Sequence, residues 1–301
     1  IHMSSAVDCA TGDSLSEQFR LNPDRKVTVI DHFGSALLII DDLYADPEAV
    51  RNAALGLNYV RSRHSYPGSD ALLWIPGHQL CPMLDDVVSS ILEKPVHVDP
   101  FHGIPGFVPE APPEATYDAV RPPPKPVEAS PGNIDPRDIV AFTALRRNAK
   151  IRNQPHFDGG NGIALLVYLN PEEQCRGGTA LYTHVDTGLH ARPTSFTREQ
   201  IRQLQAKGYK TESELWPALT WVSASNTGKE DWEPEWKLER LIEMRWNRLV
   251  CYPSSVLHSI FLQPGDFGNT LETTRLTMNL FLTIVDQNQE SSPQMPEVAA
   301  R

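Results

Sequence analysis

Short apolar blocks set off by glycine and polar residues fill the second half of the chain. They run from Ile139 to Leu145, Ile163 to Leu169, Gly178 to Tyr182, Asn247 to Tyr252, Ser259 to Leu262 and Arg275 to Ile284. Their length, their β-branched content and the glycine pairs at 159–160 and 177–178 predict antiparallel strands. Strands joined in this way predict a barrel or sandwich of the jelly-roll type. Upstream, Lys26 to Ile30 and Ala36 to Ile40 flank Phe33-Gly34 and predict a hairpin. The period then changes: Pro47 to Leu57 reads as an amphipathic helix with Asp46 as N-cap and Glu48 in its first turn. Pro82 to Leu92 reads as a second helix, and the stretch between them, Tyr59 to Gly77, as loop.

Other stretches lack apolar periodicity. Residues 1–20 are small and polar and read as a loose arm; residues 286–301 read as a flexible tail. Residues 100–136 are dense in proline and glycine, including Pro122-Pro123-Pro124, which predicts extended, polyproline-like backbone. That segment is read as an excursion from a single domain spanning 21–285 and not as a linker, because neither flank carries a complete set of motifs. Residues 186–246 interrupt the strand rhythm as an insertion. Within it Thr197 to Lys207 looks helical, and Trp216, Trp221, Trp232 and Trp236 crowd a polar segment.

Composition narrows the function. A chain of 301 residues with 40% hydrophobic and 22% charged residues is long and apolar enough to bury a core. A net charge of -11 argues against a nucleic-acid partner, which would call for clustered Lys and Arg. No apolar run reaches membrane-spanning length. The first residues show no signal-peptide pattern, and Ile1-His2-Met3 reads as a cloning remnant. Cys9, Cys81, Cys175 and Cys251 are scattered, which predicts reduced structural thiols and a cytoplasmic protein.

The chemistry concentrates in Gln154-Pro155-His156-Phe157-Asp158-Gly159-Gly160 and in Leu257-His258-Ser259. In extended backbone alternate side chains share a face, so His156 and Asp158 point together while Phe157 packs behind. With a distant second histidine, His258, they make the two-histidine, one-carboxylate set that holds non-haem iron(II) and leaves positions open. A second pair, His184-Val185-Asp186, competes; Pro155, the flanking glycines and the strand ending Tyr168-Leu169-Asn170 favour the first. His184 and Asp186 are then rim or supporting residues. On the last strand Arg275, Thr277 and Asn279 share one face, and Leu276, Met278, Leu280 and Leu282 the other. A polar face opening with arginine suits a bound carboxylate, with a hydroxyl added by Thr277 and another by Tyr168 from an adjacent strand.

His156-x-Asp158, His258 and Arg275 resemble the signature of the iron(II)/2-oxoglutarate-dependent dioxygenases. Pro155-His-Phe-Asp, Leu-Val-Tyr-Leu-Asn170 and Gly177-Gly-Thr-Ala-Leu-Tyr182 are similar to the prolyl-hydroxylase-like branch, over roughly residues 140 to 285. The resemblance implies a double-stranded β-helix, mainly β and cupin-like, with N-terminal helices buttressing one sheet and a helical insertion. It implies Fe(II) held by His156, Asp158 and His258, and 2-oxoglutarate as cosubstrate with O2, its distal carboxylate on Arg275 with Thr277 and Tyr168 assisting. The implied reaction is decarboxylation of 2-oxoglutarate to succinate coupled to oxidation of a substrate; because Asp158 is present, hydroxylation or another oxidation is expected and not halogenation. Two departures stand out: Gly265 to Asn269 lengthens the path from His258 to Arg275, and the segment between Tyr182 and Asn247 is large.

The substrate is read as a small molecule, such as an amino acid or biosynthetic intermediate. A protein or peptide hydroxylase is one alternative, and a cupin-like metal-binding barrel without turnover is the other. Arg61, Arg63 and His64 either hold a substrate carboxylate or form a solvated loop. The tryptophans either form a lid or pack locally. His32, His78, His97, His102 and His190 read as ordinary surface or core residues.

Overall fold

A computed structural model describes residues 15–61, 68–100, 135–145, 155–158, 162–185, 187–209, 236–263 and 265–287. The chain opens with the helical turn α1 (Leu15–Gln18) and then the hairpin β1 (Lys26–His32) and β2 (Ser35–Asp41), paired antiparallel from Lys26↔Asp41 to His32↔Ser35. The hairpin is the one predicted. The loose arm is not seen over residues 15–20: Phe19 is buried and meets the rings of Tyr44, His78 and Phe142 at 5.7, 5.8 and 6.4 Å. One aromatic in a polar stretch is enough to pin it, because a buried Phe removes roughly 1.5–3 kcal/mol worth of apolar surface from water.

Helix α2 (Pro47–Leu55) starts as its sequence demands: Asp46 accepts from the N–H of Ala49 at 3.0 Å, and Pro47 occupies the first turn, where no N–H is needed. Residues 59–77 are not all loop, as expected from sequence, but hold the short β3 (Val60–Arg61) and β4 (Ser69–Trp74). The strand β4 alternates buried Ser69, Ala71 and Leu73 with half-buried Asp70, Leu72 and Trp74, a period-2 pattern that small and acidic residues disguise. Helix α3 (Leu80–Leu92) buries Leu80, Leu84 and Val88 along one stripe. After β5 (Val96–Pro100) come β6 (Ile139–Leu145), β7 (Gly162–Tyr168), β8 (Gly178–His184), α4 (Arg198–Ala206), β9 (Trp236–Glu243), β10 (Leu249–Pro253), β11 (His258–Phe261) and β12 (Arg275–Asp286). Two boundaries shift from expectation. The expected insertion contains β9, and Asp286, assigned to the tail, ends β12. Almost all of the proline-rich segment lies outside the described residues.

The described strands form two sheets. The larger runs β1-β2-β10-β7-β12-β6-β4-β3, with β5 also paired to β12; the smaller runs β11-β8-β9. The molecule is therefore mainly β, with antiparallel sheets and a few helices. Register assigns the two faces of the large sheet, since opposed residues share a face: Thr277↔Tyr168, Thr277↔Thr143 and Val250↔Leu166 set the inner one. On the outer face Leu276, Met278, Phe142, Leu165 and Val167 pack under α2 and α3 with Val50, Ala54, Leu80 and Leu84. On the inner face Leu166, Tyr168, Val250 and Tyr252 meet Leu181 and Ile242 of the small sheet. The strand β8 enters between β11 and β9 through Gly177-Gly178. A Cβ on Gly177 (φ +65) would sit 1.9 Å from the carbonyl oxygen of Phe261, and one on Gly178 2.1 Å from that of Ile242. Among the described residues no helix is long and apolar enough to cross a membrane.

Candidate metal and anion site

His156 and His258 form an isolated antiparallel bridge: the N–H of His156 donates to the His258 carbonyl at 2.9 Å, and the N–H of His258 to the His156 carbonyl at 2.8 Å. The bridge adds one residue of a further strand beside β11. It puts both imidazoles on one face, with ring centroids 4.5 Å apart. Two residues on, Asp158 returns to that face, its Oδ1 3.9 Å from His156 Nε2 and its Oδ2 3.5 Å from His258 Nε2. One donor atom from each of the three lies within 4.8 Å of the others, the one such group of His, Cys, Asp and Glu found among the described residues. His258 faces Leu181 in the β11–β8 register, so it points between the sheets, and its ring lies 4.6 Å from that of Tyr252.

Burial acts oppositely on the two kinds of donor. The Val256 carbonyl lies 2.9 Å from His258 Nδ1 and can only accept, so Nδ1 carries the proton and Nε2 turns its lone pair to the carboxylate. Burial pushes the His258 pKa down to about 4, and so keeps the ring neutral. Burial pushes Asp158 up to about 6, opposed by the neighbouring His156. The buried Oδ2 of Asp158 accepts no hydrogen bond. A buried carboxylate left in this way is costly unless a cation joins it. The donor set is loosely spaced for one: donors sharing an ion at bond lengths of about 2.1 Å lie about 3–3.5 Å apart, against 3.5 and 3.9 Å for the two carboxylate–imidazole pairs and no more than 4.8 Å across the set. The set is nitrogen and oxygen only, which suits imidazole-binding first-row metals such as Fe(II).

The second half of the site lies across the layer on the large sheet. Arg275, the first residue of β12, is 2% exposed, and its Nε has no hydrogen-bond partner. Its guanidinium lies 5.4 Å from the centre of the Tyr168 ring, and among the described residues it forms no ion pair with a carboxylate. A guanidinium stays charged in any protein environment, so its burial calls for an anion. Tyr168 is fully buried and shares a 2.8 Å hydrogen bond with Thr179 of the small sheet; burial raises its pKa, and Arg275 acts in the opposite direction. Thr277 sits opposite Tyr168 in register and accepts from the Asn279 amide at 3.1 Å. The same amide reaches Thr143 at 2.8 Å, and Thr143 donates to Asp70 at 3.0 Å, so the polar row continues along the inner face to β4.

Residues 141–282 match DUF6445, a family of unknown function. No curated protein matches the chain. The matched span begins inside β6, ends inside β12 and holds His156, Asp158, Tyr168, His258, Arg275 and Thr277.

The other candidates separate. His184 is not at the rim: it is fully buried on the outer face of the small sheet, its ring 4.9 Å from Trp236 and 6.5 Å from Tyr209, with Nδ1 2.9 Å from the Thr187 hydroxyl. Strand parity explains this, because Leu181 faces inward with His258 and the third residue after it faces out. Asp186 lies outside the described residues, as do Arg63, His64, Trp216, Trp221 and Trp232. Trp236 opens β9 and packs on His184, and so is not part of a lid. His78 is an ordinary core residue against Tyr44 and Phe19, as read. Cys81, Cys175 and Cys251 are free thiols. Sequence reading missed Thr179 and Tyr252, which join Tyr168 on the inner face only through the β10–β7 register and the hydrogen bond across the layer.

Proposed function

We propose that the protein is a non-haem iron(II)- and 2-oxoglutarate-dependent oxygenase acting on a small molecule. One observation carries this reading: between the same two sheets lie three converging metal donors and a buried arginine that no described carboxylate neutralises. A metal-binding barrel alone needs the first and has no use for the second.

The strand path supports a double-stranded β-helix. From β6 onward the chain visits the large sheet, the His156 bridge, the large sheet (β7), the small sheet (β8, β9), and then large (β10), small (β11) and large (β12) in turn. The four large-sheet strands lie in the order β10-β7-β12-β6, and the bridge continues the small sheet beyond β11. This winding brings residue 156 beside residue 258 and sets Arg275 on the facing layer.

His156, Asp158 and His258 would hold the iron through Nε2, a carboxylate oxygen and Nε2, and three protein donors leave the remaining positions free. Iron(II), when bound, would supply oxidising power with dioxygen and 2-oxoglutarate, the latter ending as succinate and carbon dioxide. The chain's own groups bind and orient. Arg275 takes the distal carboxylate of the cosubstrate, Thr277 adds a hydroxyl, and the phenol of Tyr168, fixed by Thr179, walls the guanidinium. Leu181, Val250 and Tyr252 keep water from the space between the two halves. The small-molecule reading rests on the acidic chain, which disfavours polyanionic partners, and on insertions long enough to close over a pocket.

The test uses protein stripped with chelator and reloaded. Stoichiometric Fe(II) or Mn(II) uptake is expected, together with succinate release from 2-oxoglutarate under air that rises when the right small molecule is added. His156→Ala and Asp158→Ala should lose both, and full activity in either rules out the ligand set. Metal uptake with no affinity for 2-oxoglutarate would refute the oxygenase reading and leave a metal-binding barrel.

A further inference from the structure

The ladder between β7 and β12 stops at Tyr168↔Thr277, two residues short of Arg275. Continued by one more pair of residues on that face, it would set residue 170 opposite Arg275. Residue 170 is Asn170, fully buried, and its side chain takes the place of the missing strand. Its Oδ1 accepts from the N–H of Leu276 at 2.8 Å; its Nδ2 donates to the Thr274 carbonyl at 2.7 Å and to Gln174 Oε1 at 3.1 Å. In an extended chain the C=O of residue 274 and the N–H of residue 276 point to the same side and seek the same neighbour. The carboxamide supplies both an N–H and a C=O, as a peptide unit would.

We propose that Asn170 is a positioning residue for Arg275, holding the main chain on both sides of the arginine so that its guanidinium stays aimed between the sheets. A second tie reinforces it one step out: Arg51 of α2 donates to the carbonyls of Leu169 and Glu272, both at 2.6 Å. On its other side Arg275 pairs with Leu145 of β6, so its backbone is held from both directions. Neither Asn170 nor Arg51 points at the space between the sheets; each acts through the strand start. An aspartate would lack the donor for Thr274, and an alanine would leave the Thr274 carbonyl and the Leu276 N–H unpaired in the interior.

This inference rests on the assignment of Arg275 to a cosubstrate carboxylate, and the experiment separates the two. The full chain is loaded with redox-inert Mn(II), and dissociation constants are measured for 2-oxoglutarate and for 2-oxovalerate, which lacks the distal carboxylate. Arg275→Ala should cost 2-oxoglutarate about 100-fold and 2-oxovalerate little, as expected for a lost charge-assisted pair. Asn170→Ala should cost 2-oxoglutarate about 10-fold and spare both 2-oxovalerate and Mn(II) affinity. The double variant should bind no worse than Arg275→Ala, because Asn170 has nothing left to aim. Asn170→Ser, which cannot span both main-chain groups, serves if the alanine variant does not fold. Equal weakening of the two oxoacids, or additive losses in the double variant, would overturn the positioning role and leave a merely structural one. If Arg275→Ala leaves 2-oxoglutarate binding unchanged, the cosubstrate reading fails, and this role fails with it.

Discussion

Metal capture and fold stability should pull against each other at Asp158. Its carboxylate is buried, lies no closer than 3.5 Å to either imidazole, and leaves Oδ2 without a hydrogen bond. Burial lifts its pKa from 3.8 to about 6 in the metal-free protein. At about 1.4 kcal/mol per pH unit this amounts to about 3 kcal/mol of folding stability lost when the group is ionised. Because the folded value lies above the unfolded one, the loss is absent below about pH 4, grows between about 4 and 6, and is complete above 6. Asp158→Asn keeps the shape, removes the charge and can donate to His258 Nε2. The metal-free variant should therefore be more stable than wild type by up to about 3 kcal/mol at pH 8 and no more stable at pH 4. Urea unfolding of chelator-treated protein at the two pH values measures this. Mn(II) at 100 times its dissociation constant should return about 2.7 kcal/mol to the wild type and nothing to the variant. A variant less stable than wild type at pH 8, or a difference that does not change with pH, would refute the account of Asp158 as a carboxylate held ready for a cation.

Arg275→Ala should raise the 2-oxoglutarate requirement strongly, about 100-fold, while sparing Fe(II) affinity; isothermal titration with each ligand reads the two separately. His78 is buried against Tyr44 and Phe19, and burial lowers its pKa from 6.5 to about 4. The unfolded chain therefore takes up the proton first, and His78 should contribute a loss of about 3 kcal/mol as pH drops from 6.5 to 4, beside the separate contributions of His258 and Asp158. His78→Gln should flatten that part of the stability profile, and an unchanged slope would place the effect elsewhere. Arg51→Ala leaves the carbonyls of Leu169 and Glu272 without their charged donor and should cost about 2–4 kcal/mol in thermal or urea unfolding.

Where sequence and structure agree, the signal was local. The hairpin at Phe33-Gly34, the Asp46 cap, the start of α4 at Thr197 and the strands β6, β7, β8, β10, β11 and β12 all follow from residues within a few positions of one another. The shared face of His156 and Asp158 was legible for the same reason, since His-x-Asp in extended backbone turns both side chains the same way. What escaped depends on distant partners. In β4 the inward positions are Asp70, Leu72 and Trp74, so the alternation shows only once β6 is beside it. Strand β9, Trp-Lys-Leu-Glu-Arg-Leu-Ile-Glu, is built largely from good helix formers, and pairing with β8 overrides that preference. His184 was read as a rim or supporting residue, and its place on the outer face of the small sheet shows only once β8 is given a register against β11.

The two halves of the site are held by different devices, and that separates their failures. The candidate donors depend on two backbone hydrogen bonds between His156 and His258, with Phe157 packed on the cluster that holds Leu257, and residues 156–158 are only half-buried. The anion corner depends on buried side chains, Asn170 and Arg51, that grip main chain at the start of β12. Local opening costs less where few buried contacts close a segment. Residues 155–158 should therefore exchange their amide hydrogens faster than the Leu276 amide in metal-free protein, and metal should slow the first far more than the second. On the proposed reading, an anion corner that forms without metal would give a cosubstrate carboxylate a fixed receptor before the metal is bound.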